Sequence, residues 1–528
     1  MLVPVYTNPV LPGFYPDPSL CRVDDDYYLV TSSFEYFPGV PVFHSKDLVN
    51  WRQIGHVLNR PSQLDLDMCE PSRGIWAATI RYHGGTFYIC TTNVCRKIRG
   101  ESMEGGNFIV TAVNPAGPWS EPHWLDNACG IDPSLFFDDD GRAWFAGTGY
   151  PPNGPRYKGN NAIWLQELDI EKMEMAGPKY YLWEGALADA ARHTEGPHIY
   201  KTRGYYYLMV AEGGTGYAHA ITVARSRQIT GPYENNPRNP IITHRHMGND
   251  IPITNVGHGD LVQTQNGEWW LVLLGSRPYG GLYRNLGRET FLAPVSWLYD
   301  WPIVSPGCGR IEFEYQAPDL PQHAPYRMPD RDGFDAQELA LCYNFLRTPR
   351  ERFWNLDERV GFLRLRLRPE RIAEHVNPSF VGRRQQHIDF HASCKVEFEP
   401  DSATETAGLV LLQNSGFHFR VEICQSNEGR LLRLTKRYRN TEDVLASVPA
   451  PAAGPLVLAA SARGQELSFM FGSNADCLQS LAEKVDSRIL STEIAGGFTG
   501  TYIGMYASSN GAQSENCADF DWFEYRQG

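Results

Sequence analysis

Asp17-Pro18-Ser19, running through a turn into Tyr27-Tyr28-Leu29-Val30, is the first copy of the unit that decides the fold. The same order of short polar motif, turn and aromatic-rich run returns four times. Trp76-Ala77-Ala78 leads to Phe87-Tyr88-Ile89, and Asp132-Pro133-Ser134 leads to Trp144-Phe145. Glu195-Gly196-Pro197 leads to Tyr205-Tyr206-Tyr207-Leu208, and His258-Gly259-Asp260 to Trp269-Trp270-Leu271-Val272. The starts are 59, 56, 63 and 63 residues apart. Repetition at a fixed period marks a closed or stacked array, and four short strands with their turns fill about 40–60 residues. Gly84-Gly85, Asp140-Gly141, Arg203-Gly204 and Asn266-Gly267 fall where hairpins need residues tolerant of φ > 0. Helical patterns are scarce, so the expected fold is all-β: a five-bladed β-propeller over residues 1–315, with an array of β-sandwiches as the alternative. In a propeller the opening residues Asp17, Trp76, Asp132, Glu195 and His258 converge on one end of the axis, where ligand sites form.

Working outward, residues 316–330 carry Pro318, Pro321, Pro325 and Pro329 and few periodic apolar positions, which reads as a Pro-rich linker. A second domain is expected over 331–528. Phe362-Leu363-Arg364-Leu365-Arg366-Leu367-Arg368 alternates at period two, leucines on one face and arginines on the other. Phe417–Ile423, Lys395–Glu399 and Ala518–Trp522 repeat the pattern, predicting half-buried strands of an antiparallel β-sandwich of jelly-roll, lectin-like type.

The bulk properties agree with two packed domains. The chain has 528 residues, beyond the roughly 250–300 at which a single core stops growing. Its net charge of −13 disfavours a nucleic-acid backbone or an anionic membrane as partner. A neutral ligand fits better, and the 13 Trp, 27 Tyr and 25 Phe suit both β structure and stacking on sugar C–H faces. The 11 Cys show neither zinc nor CxxC spacing and read as reduced, mostly buried thiols. The start of the chain shows no basic, apolar leader pattern, no run of about 18 apolar residues occurs, and no Asn-x-Ser/Thr sequon is present; a cytoplasmic protein is expected.

Hydrolysis of a glycosidic bond needs one carboxylic acid to protonate the leaving oxygen and a second carboxylate to activate water or attack the anomeric carbon. Taken singly, an Asp before Pro-Ser is an ordinary turn former. Three carboxylates opening three blades of one ring are a candidate acid/base set.

Here the motifs become specific. Phe14-Tyr15-Pro16-Asp17-Pro18-Ser19, Gly130-Ile131-Asp132-Pro133-Ser134, Thr194-Glu195-Gly196-Pro197-His198 and Gly287-Arg288-Glu289-Thr290 resemble those of glycoside hydrolase family 43. Tyr36-Phe37-Pro38-Gly39-Val40, His44–Trp51, Arg350–Asp357 and Arg383-Arg384-Gln385-Gln386 resemble its β-xylosidase and α-L-arabinofuranosidase branches, which append a β-sandwich. The resemblance covers essentially the whole chain. It implies Asp17 as general base, Glu195 as general acid, and Asp132 as the residue that orients the acid and tunes its pKa. A carboxylate beside Glu195 raises its pKa, which suits an acid. Inversion follows if Asp17 and Glu195 stand roughly 6.5–9.5 Å apart. Arg288 is implied as a fork onto sugar hydroxyls, a salt bridge to Glu289 or another acid being the alternative. Phe34 and Trp76 are candidate apolar walls, although this chain has Trp76-Ala77-Ala78 where the family shows Trp-Ala-Pro. Phe498 resembles a loop residue of the second domain that closes the rim, or else is sandwich core. His258 is either a hydrogen-bonded residue of the channel or, as in some relatives, the ligand of a central divalent cation such as Ca²⁺, with water supplying the remaining ligands. No cofactor is required for the chemistry.

The function implied is an exo-acting, inverting hydrolase that releases xylose from the non-reducing end of β-1,4-xylo-oligosaccharides. α-L-Arabinofuranosidase or dual activity is the near alternative. A retaining propeller glycosidase and a non-catalytic carbohydrate-binding propeller are the more distant ones. The partner expected is the oligosaccharide substrate, with no nucleic acid or membrane, and family similarity implies a homo-oligomer.

Overall fold

The computed structural model describes residues 4–96, 106–125, 127–186 and 192–528. Five antiparallel sheets ring one axis, with inner strands Ser19–Val23, Ile75–His83, Ile131–Phe137, Glu195–Thr202 and Thr254–Gln263. Each is followed outward by three strands in chain order, and blade four adds a fifth short strand, Ile242–Thr243. The hairpins after the inner strands of blades two to five turn at the glycine pairs read from the sequence. Gly85, Gly141, Gly204 and Gly267 all have φ between +74° and +87°.

The ring closes because every blade is apolar on both faces. Val30 and Val42 of blade one meet Ile80, Ile89 and Phe108 of blade two. Cys90 and Ile109 then meet Leu135, Phe145 and Trp164 of blade three. Trp144 and Ile163 meet Ile199 and Leu208 of blade four, whose Met209 and Ile221 meet Leu271 and Phe291 of blade five. Val272 and Leu292 return to Leu29 and Phe43 of blade one. Near the seam, Val5–Thr7 pairs with Glu314–Gln316, and Asn8 bonds the backbone of Leu292 and Glu312.

On the axis a polar hub replaces apolar packing. Asp260, with no solvent exposure, accepts from Ser19 Oγ (2.7 Å), Arg81 Nη1 (2.8 Å) and Tyr200 Oη (2.6 Å). Arg81 also donates to His198 Nδ1 at 2.9 Å. Burial opposes the charge of Asp260, yet Arg81 and these donors hold its pKa down at about 2. One carboxylate thus ties blades one, two, four and five.

Residues 317–330 run without strand, and Arg331–Asp332 opens the second domain by pairing with Phe523 and Glu524. Two sheets form a sandwich, an eight-stranded one centred on Cys517–Gln527 and Phe390–Glu397 and a six-stranded one centred on Thr406–Asn414 and Phe417–Ser426. Leu409, Leu411, Phe419 and Val421 of the second pack against Val396, Leu458, Phe469 and Phe520 of the first. Leu363 and Leu365 are buried as the alternation predicts.

Two expectations are corrected. Phe417–Ile423 is buried on both faces: Arg420 and Glu422 pair with each other and with Glu442 and Arg433 rather than facing solvent, and His418 beside them has its Nδ1 on the Asn414 carbonyl. The cysteines are not all thiols either. Cys69 and Cys95 form a disulfide with Cα atoms 5.9 Å apart, a pairing across 26 residues that no spacing motif signals. Among the described residues the only helices are the four-residue Ser487–Leu490 and Thr492–Ala495, and none is long and apolar enough to cross a membrane.

Removing one partner of a buried ion pair strands the other. Asp260→Ala is therefore expected to cost about 3–5 kcal/mol of stability, read as a lowered urea midpoint. An unchanged midpoint would show that the apolar blade faces alone hold the ring.

Candidate active site

At one end of the axis each blade's opening motif holds a residue in the left-handed region: Asp17 (φ 54°), Ala77 (24°), Asp132 (54°), Gly196 (59°) and His258 (38°). In blades two to five the pairing register slips at that point, the mark of a bulge, and a bulge re-aims side chains toward the axis. The five motif-opening residues are therefore not strictly equivalent. Asp17, Asp132 and His258 occupy the left-handed position itself, whereas Trp76 and Glu195 stand one residue before it. Glu195 thereby matches Ile131 of blade three, and Gly196 takes the position of Asp132. A side chain on Gly196 would begin 2.8 Å from the His258 ring, so glycine lets blades four and five approach there.

All three carboxylates, Asp17, Asp132 and Glu195, face one cavity of about 450 Å³. The same cavity is lined by Phe34, Trp76, His258, Arg288 and Phe498. Five side chains selected from the propeller motifs, one from the fifth blade's Gly-Arg-Glu-Thr stretch and one from the second domain thus meet Phe34 in one place.

The electrostatics separate the acids. Burial disfavours the charge of Asp17, but Arg288 Nη1 donates to its Oδ1 at 2.6 Å, His258 Nδ1 lies 4.0 Å from the same oxygen, and Ser32 Oγ donates to its Oδ2 at 2.7 Å. The outcome is a pKa below the usual carboxylate value. Glu195 goes the other way: burial, then the negative charges of Asp132 and Asp17, push its pKa well up against the weaker pull of Arg288. Asp132 is pushed up to about 8 by burial and by Asp17, with Arg288 and the Gly196 amide working against both. At neutral pH the cavity therefore presents one firmly ionised carboxylate, Asp17, and two carboxyls on the protonated side, Glu195 and Asp132.

Arg288 takes the salt-bridge option, with Asp17 rather than Glu289. Glu289 instead receives a two-pronged bond from Arg277 (2.7 and 2.8 Å) and the Gly13 amide. The guanidinium of Arg288 also lies 5.6 Å from the Phe34 ring and 5.8 Å from that of Phe498. Phe34, Trp76 and Phe498 form one aromatic cluster with centroids 5.5–6.2 Å apart, so Phe498 belongs to the cavity and not to the sandwich core. Ala77 adopts the left-handed bulge without the family's proline following it.

His258 faces the cavity beside Asp17 and Arg288. Among the described residues no three His, Cys, Asp or Glu side chains stand together as a ligand set. Burial first, then the Arg288 guanidinium that shares Asp17 with it, hold the His258 pKa below its ordinary value against the pull of Asp17.

Several lining residues escaped the sequence reading. Tyr150, Asn161 and Thr215 lie on loops of blades three and four away from the repeated motif, and His193 lies just before the Thr194-Glu195-Gly196 stretch. His193 is left-handed (φ 52°) and its ring sits against Gly159 and Gly214. Gly159-Asn160-Asn161 carries turn residues but no period, so only proximity in space marks it.

A propeller pocket holding an ionised carboxylate and a protonated carboxyl, walled by aromatic rings, is the equipment of a glycosidase. The comparisons bear this out. The chain belongs to the glycosyl hydrolases family 43, which residues 6–302 match, and residues 331–526 match the β-xylosidase C-terminal concanavalin A-like domain. A xylosidase/arabinosidase of Butyrivibrio fibrisolvens is 47% identical over 98% of this chain and 99% of its own length. A non-reducing end α-L-arabinofuranosidase of Bacteroides ovatus is 42% identical over 99% and 94%. The crystal structure of a xylan β-1,4-xylosidase from Bacillus halodurans superimposes with a TM-score of 0.92 at 38% identity, covering 99% of this chain and all of that one.

Asp132→Asn removes the negative charge that Asp132 gains as the pH rises through about 8, and so lowers the pKa of Glu195. The alkaline limb of the activity profile is expected to move to lower pH by about one unit or more. A limb that stays in place would mean that burial alone keeps the proton on Glu195.

Proposed function

We propose that the enzyme removes single xylose units from the non-reducing end of β-1,4-xylo-oligosaccharides with inversion, Asp17 acting as general base and Glu195 as general acid. The observation that carries this reading is the opposed state of the two carboxyls in one cavity. Arg288 and Ser32 keep Asp17 ionised and fix its direction, which suits it to take a proton from an attacking water. Glu195 retains a proton that it can give to the leaving oxygen as the bond to the anomeric carbon breaks. Asp132 touches the Gly196 amide and raises Glu195, so it acts on the acid and not on the water.

Exo action is supported by the size of the cavity and by the Phe34, Trp76 and Phe498 wall, which suits a terminal sugar. Arg288 acts first on Asp17; any sugar hydroxyl it binds is shared with that duty. Arabinofuranose is the second reading, favoured by the relatives named for both sugars and by the B. ovatus enzyme named for arabinose alone.

Release from 4-nitrophenyl β-xyloside and α-L-arabinofuranoside compares the two sugars, and hydrolysis of neither would overturn the assignment. Asp17→Ala and Glu195→Ala are each expected to lower kcat by about 10²–10⁴-fold with the fold retained. NMR of the first-formed anomer should show inversion; retention would exclude the base role of Asp17.

A further inference from the structure

We infer that Glu35 is a positioning residue for the sugar-facing wall: through Ser72 it holds Phe34, Trp76 and Phe498 in a single arrangement. The inference rests on the reading of that wall as the contact for the terminal sugar.

Glu35 does not line the cavity. It is 1% exposed, and its carboxyl Oε2 accepts the Ser72 amide at 2.9 Å. The two residues at the ends of this link are strained in the same sense. Phe34, next to Glu35, has φ 52° and Ser72 has φ 65°, conformations that side chains with a Cβ rarely adopt unless their surroundings impose them. The imposed contacts are visible. Phe34 and Ile75 exchange two backbone hydrogen bonds of 3.0 and 3.1 Å, and a side chain on Gly74 would begin 2.2 Å from the Phe34 carbonyl oxygen. The loop carrying Ser72 is thus locked onto the strand end carrying Phe34, with the Glu35 carboxyl bridging them.

From Ser72 two further bonds reach the other rings. Its carbonyl accepts from Trp76 Nε1 at 3.0 Å, and its Oγ accepts the Phe498 amide at 2.8 Å. The second domain's loop approaches so closely that a side chain on Gly497 would begin 2.2 Å from Ser72 Oγ. Ser72 is therefore, among the described residues, the one bonded to Glu35, Trp76 and Phe498 together. The backbone of Glu35 adds another tie across the domains, its carbonyl accepting the Arg347 amide at 2.8 Å, while the Arg347 guanidinium donates to the Cys69 carbonyl at 2.7 Å.

What the geometry requires of residue 35 is an acceptor, not a charge. Burial pushes its pKa up to about 7, only partly offset by its hydrogen bonds and by Arg347. Glutamine offers the same acceptor oxygen at the same reach, whereas alanine leaves the Ser72 amide buried and unpaired.

The test uses the full-length enzyme and whichever of the two 4-nitrophenyl pentosides it hydrolyses. Glu35→Ala is expected to raise KM about tenfold, the scale of one lost hydrogen bond, with kcat within about twofold. Glu35→Gln should restore the wild-type KM. Ser72→Ala, which removes only the acceptor for Phe498, should raise KM several-fold. Unchanged KM in Glu35→Ala, or a Gln variant as impaired as the Ala one, would overturn the inference. Should Glu35→Ala fail to fold, an unchanged KM in Ser72→Ala overturns it instead. Amide hydrogen exchange over residues 496–501 needs no substrate. Faster exchange in the Ala variant than in the Gln variant supports the link, and equal rates refute it, even if the wild type hydrolyses neither pentoside and the functional reading itself falls.

Discussion

The Asp260 carboxylate is the constraint from which the rest of the molecule takes its geometry. A charge with no solvent contact is tolerated only where its oxygens are satisfied, and here donors from three other blades satisfy it. The same requirement fixes the height of the inner strands along the axis, since Ser19, Arg81, Tyr200 and Asp260 meet only in one vertical register. Ser19, Thr79, Ser134, His198 and Asp260 each lie two positions after their blade's left-handed residue. They form a second polar ring beneath the first. With that ring pinned, the bulged residues above it arrive at the mouth of the pocket together.

Above the hub, charge decides what each acid does. The carboxyls of Asp17, Asp132 and Glu195 share the cavity with the Arg288 guanidinium. Arg288 is bonded to Asp17, so the single full positive charge is spent on one acid and the other two are left to repel each other. Similar residue types in similar local motifs thus take opposite protonation states. The difference comes from which carboxyl the fold places against Arg288, not from the Asp-Pro-Ser and Glu-Gly-Pro stretches themselves.

This explains how much was legible beforehand. The repeat, the hairpin glycines and the three acids were readable because each leaves a local mark at a regular interval. The one-residue offset of Glu195 was not, since it depends on which residue of the turn goes left-handed, and Gly196 looks in sequence like an ordinary turn glycine. The partner of Arg288 lies 271 positions away, while the neighbouring Glu289 looked like the obvious mate and is taken by Arg277. Asp260 leaves only an irregular mark: the polar residue of its ring is third in the motifs of blades one, three and five (Ser19, Ser134, Asp260) but fourth in blades two and four (Thr79, His198), after Ala78 and Pro197. The buried face of Phe417–Ser426 misled because alternation of polar and apolar residues reports water only when nothing covers the polar side.

The division of labour between the domains follows from these contacts. The acids and Arg288 sit on the propeller, and the hub that aligns them uses propeller residues alone. The aromatic wall does not: Phe498 comes from the second domain, and Tyr36 of the first stacks on Tyr502 of the second with centroids 3.8 Å apart. Phe345–Leu346 pairs with Tyr36–Phe37, two residues from Phe34. The shape of the cavity where it meets a sugar is therefore set at the seam between domains, while its proton chemistry is set on the axis. Substitutions in the loop that carries Phe498 therefore reshape one side of the cavity while leaving the bonds of Asp17 to Arg288 and Ser32 in place. A pocket so divided lets the wall and the carboxyls vary independently, because among the described residues Phe498 meets Asp132 and Glu195 only through the cavity they line together.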